Sequence, residues 1–140
     1  MFFVVNSGVG ACLCLINTIA AKIYMSVVFR APTALKVVGG KTKEVKASED
    51  SPKLKFAHKT QMNEAEYSPL LFAGLLFLSV KGIDAPVAST YCYLGSMIFM
   101  WGRILIGGES KFHLPPTIVG ASTRYIGLAM MCYEIWKVVA

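Results

Sequence analysis

A basic, an amide and an acidic side chain precede a long apolar segment near the middle of the chain. Lys59, Asn63 and Glu66 are spaced by four and three residues, so on a helix they share one face, with Tyr67 near it and Gln61 offset from it. Such a stripe can bind a small zwitterionic peptide, because the carboxylate takes an ammonium group while the lysine and the amide take carboxylates. The same spacing is also typical of a solvated helix end with ordinary salt bridges, and spacing alone favours that interpretation.

The chain is unusually apolar for its size. Of its 140 residues 55% are hydrophobic, and its mean hydropathy is +0.56. The apolar residues fall into four blocks, and each is about as long as the roughly 20 helical residues needed to cross a bilayer. The pattern predicts an all-α, integral membrane four-helix bundle formed by one domain, residues 1–140. The predicted spans are at about 3–29, 53–81, 87–107 and 117–139.

The first apolar block is interpreted as a retained span and not as a cleaved signal peptide. No basic residue precedes it, and it continues well past the length of a typical signal-peptide core. Lys22 interrupts it only near its end, where a lysine can extend to the lipid headgroups.

The net charge of +6 is distributed in a way that predicts membrane topology. Basic residues dominate the segment between the first two apolar blocks, 4–29 and 67–80: Arg30, Lys36, Lys41, Lys43, Lys46, Lys53, Lys55 and Lys59. By the positive-inside rule this loop is expected on the cytosolic side, or on the matrix or stromal side of an organelle, with both termini opposite. The positive charge is thus attributed to topology and lipid headgroups, and no nucleic-acid partner is expected.

The cysteines are expected to be packing residues. All four lie inside apolar blocks, where a disulfide framework is not expected: Cys12, Cys14, Cys92 and Cys132. The two histidines are far from them in sequence, so no metal site is predicted.

The polar stripe also carries a family resemblance. The pattern Gln61-x-Asn63-x-x-Glu66-Tyr67-x-Pro69 resembles the second-helix motif of the MAPEG family, which comprises microsomal glutathione transferases, leukotriene synthase and microsomal prostaglandin E synthase. The resemblance covers nearly the whole chain, including Trp101-Gly102-Arg103 at the end of the third span. It implies a homotrimer that binds glutathione between neighbouring subunits near the cytosolic face. Small residues such as Gly74, Gly95 and Ala121 would permit close helix contacts.

The resemblance also implies roles for individual residues. Lys59 stands where the family usually has an arginine, which keeps the charge but loses the two-pronged hydrogen bonding of a guanidinium. Arg103 matches the arginine that ends the third span, although a cation there is also typical of a membrane boundary. The implied glutathione-binding residues are Lys59, Gln61, Asn63, Glu66 and Tyr67, and the candidate catalytic residues are Arg124 and Arg103.

Two parts of the chain depart from the family pattern. The segment 104–108 contains isoleucine, leucine and glycine where the family usually has a tyrosine or histidine. The segment 115–118 contains no arginine, although the family places one there to stabilise the glutathione thiolate. Arg124 lies deeper in the fourth span, where it is expected either to serve this purpose or to pair with Glu134 or with a neighbouring helix.

The function predicted from the resemblance is a membrane-bound glutathione transferase or peroxidase. Its substrates would be lipophilic electrophiles or lipid hydroperoxides that enter from the bilayer, and its membrane would be the endoplasmic reticulum or, alternatively, a mitochondrial or plastid membrane. The departures favour an alternative, a non-catalytic accessory or scaffold subunit of a larger membrane complex. A pigment-binding subunit with His58 as ligand is a weaker alternative, since a lone histidine is its only support.

Overall fold

The computed structural model describes residues 5–30, 52–106 and 114–140. Within these ranges the chain forms four α-helices and no strand: α1 Ser7–Met25, α2 Pro52–Val80, α3 Pro86–Ile106 and α4 Leu114–Val139. A π-helical segment, Ser26–Arg30, continues α1. The predicted all-α class is therefore confirmed for these ranges. The basic loop and the second predicted connection fall on residues 31–51 and 107–113, outside the described part.

The second helix is the longest and carries most of the predicted site residues. It has 29 residues and continues through Pro69. Gly82 follows its end with a φ of 71°, a left-handed conformation that glycine adopts without steric cost. The N–H of Ile83 donates to the carbonyl of Leu78 at 2.9 Å, which closes the last turn. Gly82 and this hydrogen bond thus end α2.

The start of α1 is fixed to the turn between α2 and α3 by hydrogen bonds. The N–H of Ser7 donates to Oδ1 of Asp84 at 3.1 Å, and Oγ of Ser7 accepts from the N–H of Ala85 at 2.9 Å. The hydroxyl of Ser89 donates to the carbonyl of Asn6 at 3.0 Å. The first turn of α1 therefore lies at the same end of the bundle as the α2–α3 link.

The third and fourth helices form the most extensive contact in the bundle, and glycines make it possible. A Cβ atom added to Gly95 would lie 2.3 Å from the backbone nitrogen of Arg124, and one added to Gly120 would lie 2.3 Å from that of Phe99. Gly127 is similarly close to α3. The two backbones are thus in direct contact, and Gly95 serves packing within the chain.

The hydrophobic core lies in the half of the bundle that contains the apolar end of α2. It consists of Ala11, Cys14, Leu71, Leu75, Leu78, Ala85, Ala88, Cys92 and Met131. Two of the cysteines are core packing residues as expected, whereas Cys12 and Cys132 are exposed, and all four are free.

One described helix is long and apolar enough to cross a membrane. It is Ser7–Val28, whose mean hydropathy is 1.8. Most of its outward side chains are themselves apolar, among them Ile16, Ile19 and Ile23, and Lys22 is an exposed exception. In the described part of the chain, one of the four predicted spans is thus long and apolar enough. For α2, α3 and α4, crossing of the membrane stays a prediction.

Candidate functional site

Arg124 lies at the centre of a polar cluster between α2 and α4. Its side chain is buried, with 1% of its surface exposed. Nη1 donates to Oε2 of Glu64 at 2.9 Å, and Nη2 donates to Oδ1 of Asn63 at 2.9 Å. The two rings closest to the guanidinium are those of Tyr67, 4.0 Å from its centroid, and Phe99, 4.6 Å from its centroid. Arg124 therefore fixes three residues of α2 within little more than one helical turn.

Arg124 pairs with a residue of a neighbouring helix and not with Glu134. Glu134 instead pairs with Lys137, three residues later on α4, at 2.6 Å. The actual partner, Glu64, is fully buried. A guanidinium and a carboxylate at this distance form a strong charge-assisted hydrogen bond, so the charge of Arg124 is compensated inside the bundle.

Glu64 is a site residue that the sequence reasoning missed. It is two positions from Glu66, which is about 200° around the helix, so one carboxylate is buried and the other exposed. The burial of Glu64 could have been inferred from its spacing. It lies four residues from Thr60 and from Ser68, both of which are buried small residues on the bundle side of α2. A carboxylate on that face requires a cation inside the bundle, and Arg124 supplies it.

Further polar side chains from α1 and α3 surround this ion pair. Asn17 and Ser96 are buried and lie close enough to Glu64 to interact with it electrostatically, although Oε1 of Glu64 has no hydrogen bond of good geometry. Oδ1 of Asn17 accepts a hydrogen bond from the indole N–H of Trp101 at 2.8 Å. Each of the four helices thus contributes at least one buried polar residue to the cluster.

Two tyrosines join α2 and α4 at the edge of the cluster. The hydroxyls of Tyr67 and Tyr125 lie 2.9 Å apart and share a hydrogen bond, and the rings pack edge to face at 5.7 Å between centroids. Tyr125 is 49% exposed. Sequence reasoning assigned no role to Tyr125, since its proximity to Tyr67 depends on how α2 and α4 pack.

The remaining predicted residues of the polar stripe face away from the bundle. Lys59 and Glu66 are exposed, and Gln61 is half-buried on a different side of α2. In the described part of the chain, neither Lys59 nor Glu66 forms a hydrogen bond or an ion pair. The salt bridges that a solvated helix end would form between these residues are therefore not made.

Arg103 lies near the other end of the cluster, on α3. Its guanidinium stacks on two rings, 4.6 Å from the centroid of Phe56 and 4.9 Å from that of Phe99. Its Nε is buried and has no hydrogen-bond partner. Phe99 is thus flanked by both arginines, and Arg103 and Arg124 contact it from separate positions.

The structure brings together Asn63, Tyr67 and Arg124 from the predicted set, and leaves Lys59 and Glu66 on the adjoining outer face. The oxygen of the Asn63 amide is occupied by Arg124, so its nitrogen is the atom left to donate to a ligand. A ligand that carries both charges can bind here. Its partners would be this nitrogen, the ammonium group of Lys59, the carboxylate of Glu66 and the two tyrosine hydroxyls. Among the described residues no group of side chains is arranged to hold a metal ion.

Comparison of the chain with family models, with curated proteins and with solved structures returned no match. The MAPEG resemblance therefore depends on the motif residues named above.

Proposed function

We propose that the chain is an integral membrane protein that binds glutathione along the outer face of α2. It would transfer glutathione to lipophilic electrophiles or use it to reduce lipid hydroperoxides. The observation that carries this proposal is that Lys59 and Glu66 form no hydrogen bond or ion pair in the described part of the chain, while the amide nitrogen of Asn63 beside them is left to donate. Polar groups of opposite charge that do not pair with each other are available to a ligand that carries both charges.

The dimensions of the stripe suit this ligand. Lys59 and Tyr67 are separated by eight residues, or about 12 Å along the helix axis. An extended tripeptide spans roughly 10 Å. Glu66 would take the ammonium group, while Lys59 and the amide nitrogen of Asn63 would take the carboxylates.

The membrane location is supported by apolar side chains on the outside of the helices. Large apolar residues are exposed along α1, α2 and α4, including Ile19, Ile23, Leu70 and Ile126. Such a surface is unfavourable in water and is typical of contact with lipid or with other subunits. We infer an endoplasmic reticulum or organellar membrane, with residues 31–51 on the cytosolic, matrix or stromal side.

A homotrimer would complete the binding site. The stripe on α2 forms only one wall, so a ligand bound to it alone would remain largely exposed to solvent. A neighbouring copy of the chain would supply the opposite wall, as the MAPEG resemblance implies. The lipophilic substrate would then reach the sulfur from the bilayer, next to Pro69 and Leu70.

The test is calorimetric titration of glutathione into the detergent-solubilised protein. Glu66→Gln is expected to weaken binding at least tenfold, because it removes the partner of the ligand's ammonium group. Glu134→Gln is the matched control, since it removes the same charge from α4, where Glu134 pairs with Lys137. Absence of saturable binding to folded wild-type protein, or equal binding by both variants, would contradict the proposal.

One observation favours the second candidate, a non-catalytic accessory or scaffold subunit of a larger membrane complex. The charge of Arg124 is compensated by Glu64, and the pair is buried, so this arginine is not free to stabilise a thiolate by direct contact. The test is native mass spectrometry of the protein purified gently from its own membrane. A stable complex of fixed stoichiometry without glutathione turnover would favour the accessory role, and an isolated homotrimer with turnover would exclude it.

A further inference from the structure

We propose that the Tyr67–Tyr125 hydroxyl pair is the group that contacts and stabilises the sulfur of bound glutathione. This inference rests on the proposed function and adds a residue, Tyr125, for which the family resemblance provides no role. It also provides a thiolate-stabilising group in a chain whose 115–118 segment contains no arginine.

The hydroxyl pair has a donor to spare. At 2.9 Å one phenol donates its proton to the other, so the accepting phenol keeps an O–H that is free to donate elsewhere. Either phenol can be the donor, and the bond lies at the exposed edge of α2 and α4, so the spare O–H is accessible from outside the bundle. A hydrogen bond to an anionic acceptor favours the anion, and here the acceptor would be the thiolate.

The thiol belongs to the middle residue of glutathione, and a side chain on a helix leans towards the helix N-terminus, so the phenol of Tyr67 extends back towards Asn63 and the middle of the stripe. Lys59, Asn63 and Glu66 match the charged ends of glutathione, and its thiol is the remaining group that needs a partner. Tyr67 is the member of the stripe nearest to Pro69 and Leu70, where the polar part of α2 ends. A sulfur held there would meet a lipophilic substrate at the edge of the apolar region.

Arg124 acts on this site as a positioning residue. It does not reach the surface, but its guanidinium lies 4.0 Å from the centroid of the Tyr67 ring while it donates to Asn63 at 2.9 Å. It thereby holds both the phenol and the amide in fixed positions relative to α4. Arg124 thus provides the positive charge inside the bundle, and the Tyr67–Tyr125 hydroxyls provide the hydrogen-bond donor at the ligand.

Ionisation of the bound thiol releases one proton. The S–H bond of glutathione breaks, its proton leaves to solvent, and the sulfur keeps the electron pair. The tyrosine O–H remains covalently intact and donates a hydrogen bond to the thiolate. No bond forms between the protein and the ligand.

The test compares binding with ionisation in two variants that keep both aromatic rings, Tyr125→Phe and Tyr67→Phe. Binding is measured with S-methylglutathione, which has no ionisable thiol, and ionisation is measured from the ultraviolet absorbance of the thiolate at neutral pH. Both variants are expected to bind S-methylglutathione within about twofold of wild type and to lower the ionisation constant of bound glutathione about tenfold, the effect of one hydrogen bond to a charged group. Tyr133→Phe is the matched control, because Tyr133 is exposed on the same helix and lies outside the cluster.

Each outcome separates this inference from the proposed function. If wild-type protein binds neither ligand, the proposed function fails and the inference fails with it. If wild-type protein binds S-methylglutathione and ionises glutathione, but Tyr125→Phe ionises it equally well, only the inference is overturned. A loss of ionisation in both tyrosine variants, with Tyr133→Phe unchanged, supports it.

Discussion

Removing either member of the Glu64–Arg124 pair is expected to destabilise the protein strongly, whereas removing both is expected to restore much of the stability. The two side chains are each about 1% exposed and form a single hydrogen bond at 2.9 Å. Removing one partner of a buried ion pair typically costs about 3–5 kcal/mol, because the remaining charge stays desolvated without its counter-charge. Methionine is a suitable replacement for both, since it is long, apolar and adaptable.

The cost of an unpaired buried charge predicts the order of stability of the methionine variants. Glu64→Met and Arg124→Met are each expected to lower the free energy of unfolding by about 3–5 kcal/mol. The double variant has no unpaired charge and is expected to be more stable than either single variant by about 2 kcal/mol or more. The assay is reversible unfolding in mixed micelles, followed by far-ultraviolet circular dichroism as a denaturing detergent is added.

The Glu134–Lys137 pair is the internal control. Its side chains are 27% and 45% exposed, and they lie three residues apart on one helix. The same methionine cycle on this pair is expected to give a coupling energy of no more than about 0.5 kcal/mol. If the Glu64–Arg124 cycle is additive, or as weakly coupled as this control, the interpretation of Arg124 as a compensated buried charge is wrong.

Two other substitutions test the packing around the cluster. Gly95→Ala is expected to cost about 1–3 kcal/mol, because the added methyl would lie 2.3 Å from the backbone of α4, whereas Gly74→Ala would meet only a flexible methionine side chain and should cost less. Equal unfolding free energies for these two alanine variants would contradict the direct backbone contact. Asn17→Ala is expected to leave the Trp101 indole N–H without its partner, which should cost about 1–3 kcal/mol and shift the fluorescence of Trp101 recorded in a Trp136→Phe background. An unchanged emission spectrum would show that this hydrogen bond is not formed in solution.

Local patterns in the sequence were sufficient for the helices and for the polar stripe. Spacings of three and four residues place Lys59, Asn63 and Glu66 on one face of α2, and the structure has them on the outside and at the edge of that helix. The end of α2 is also local, because it is followed by Gly82, a glycine in the left-handed conformation that often terminates helices. Both features depend on residues within one or two helical turns.

The same patterns did not identify which side chains meet across helices. Arg124 was recognised as a charge that needs a partner, but its candidate partners included Glu134, and Glu64 was not among them. Tyr125 could not be selected over the other tyrosines, since its role depends on the hydroxyl of Tyr67 being 2.9 Å away. These contacts join residues about 60 positions apart, and no periodicity in a single helix encodes them.

The sequence by itself determined that the described segments are helical, that apolar residues dominate the chain, and that one face of α2 carries a cation, an amide and a carboxylate. These properties follow from composition and from the 3.6-residue period of a helix, and both are local. Only the tertiary structure decided that Glu64 is buried while Glu66 is exposed. It also decided that Glu64 compensates the charge of Arg124, and that the hydroxyls of Tyr67 and Tyr125 join α2 to α4. Those outcomes depend on the rotation and closeness of the packed helices, which the glycines of α3 and α4 set by letting the two backbones touch.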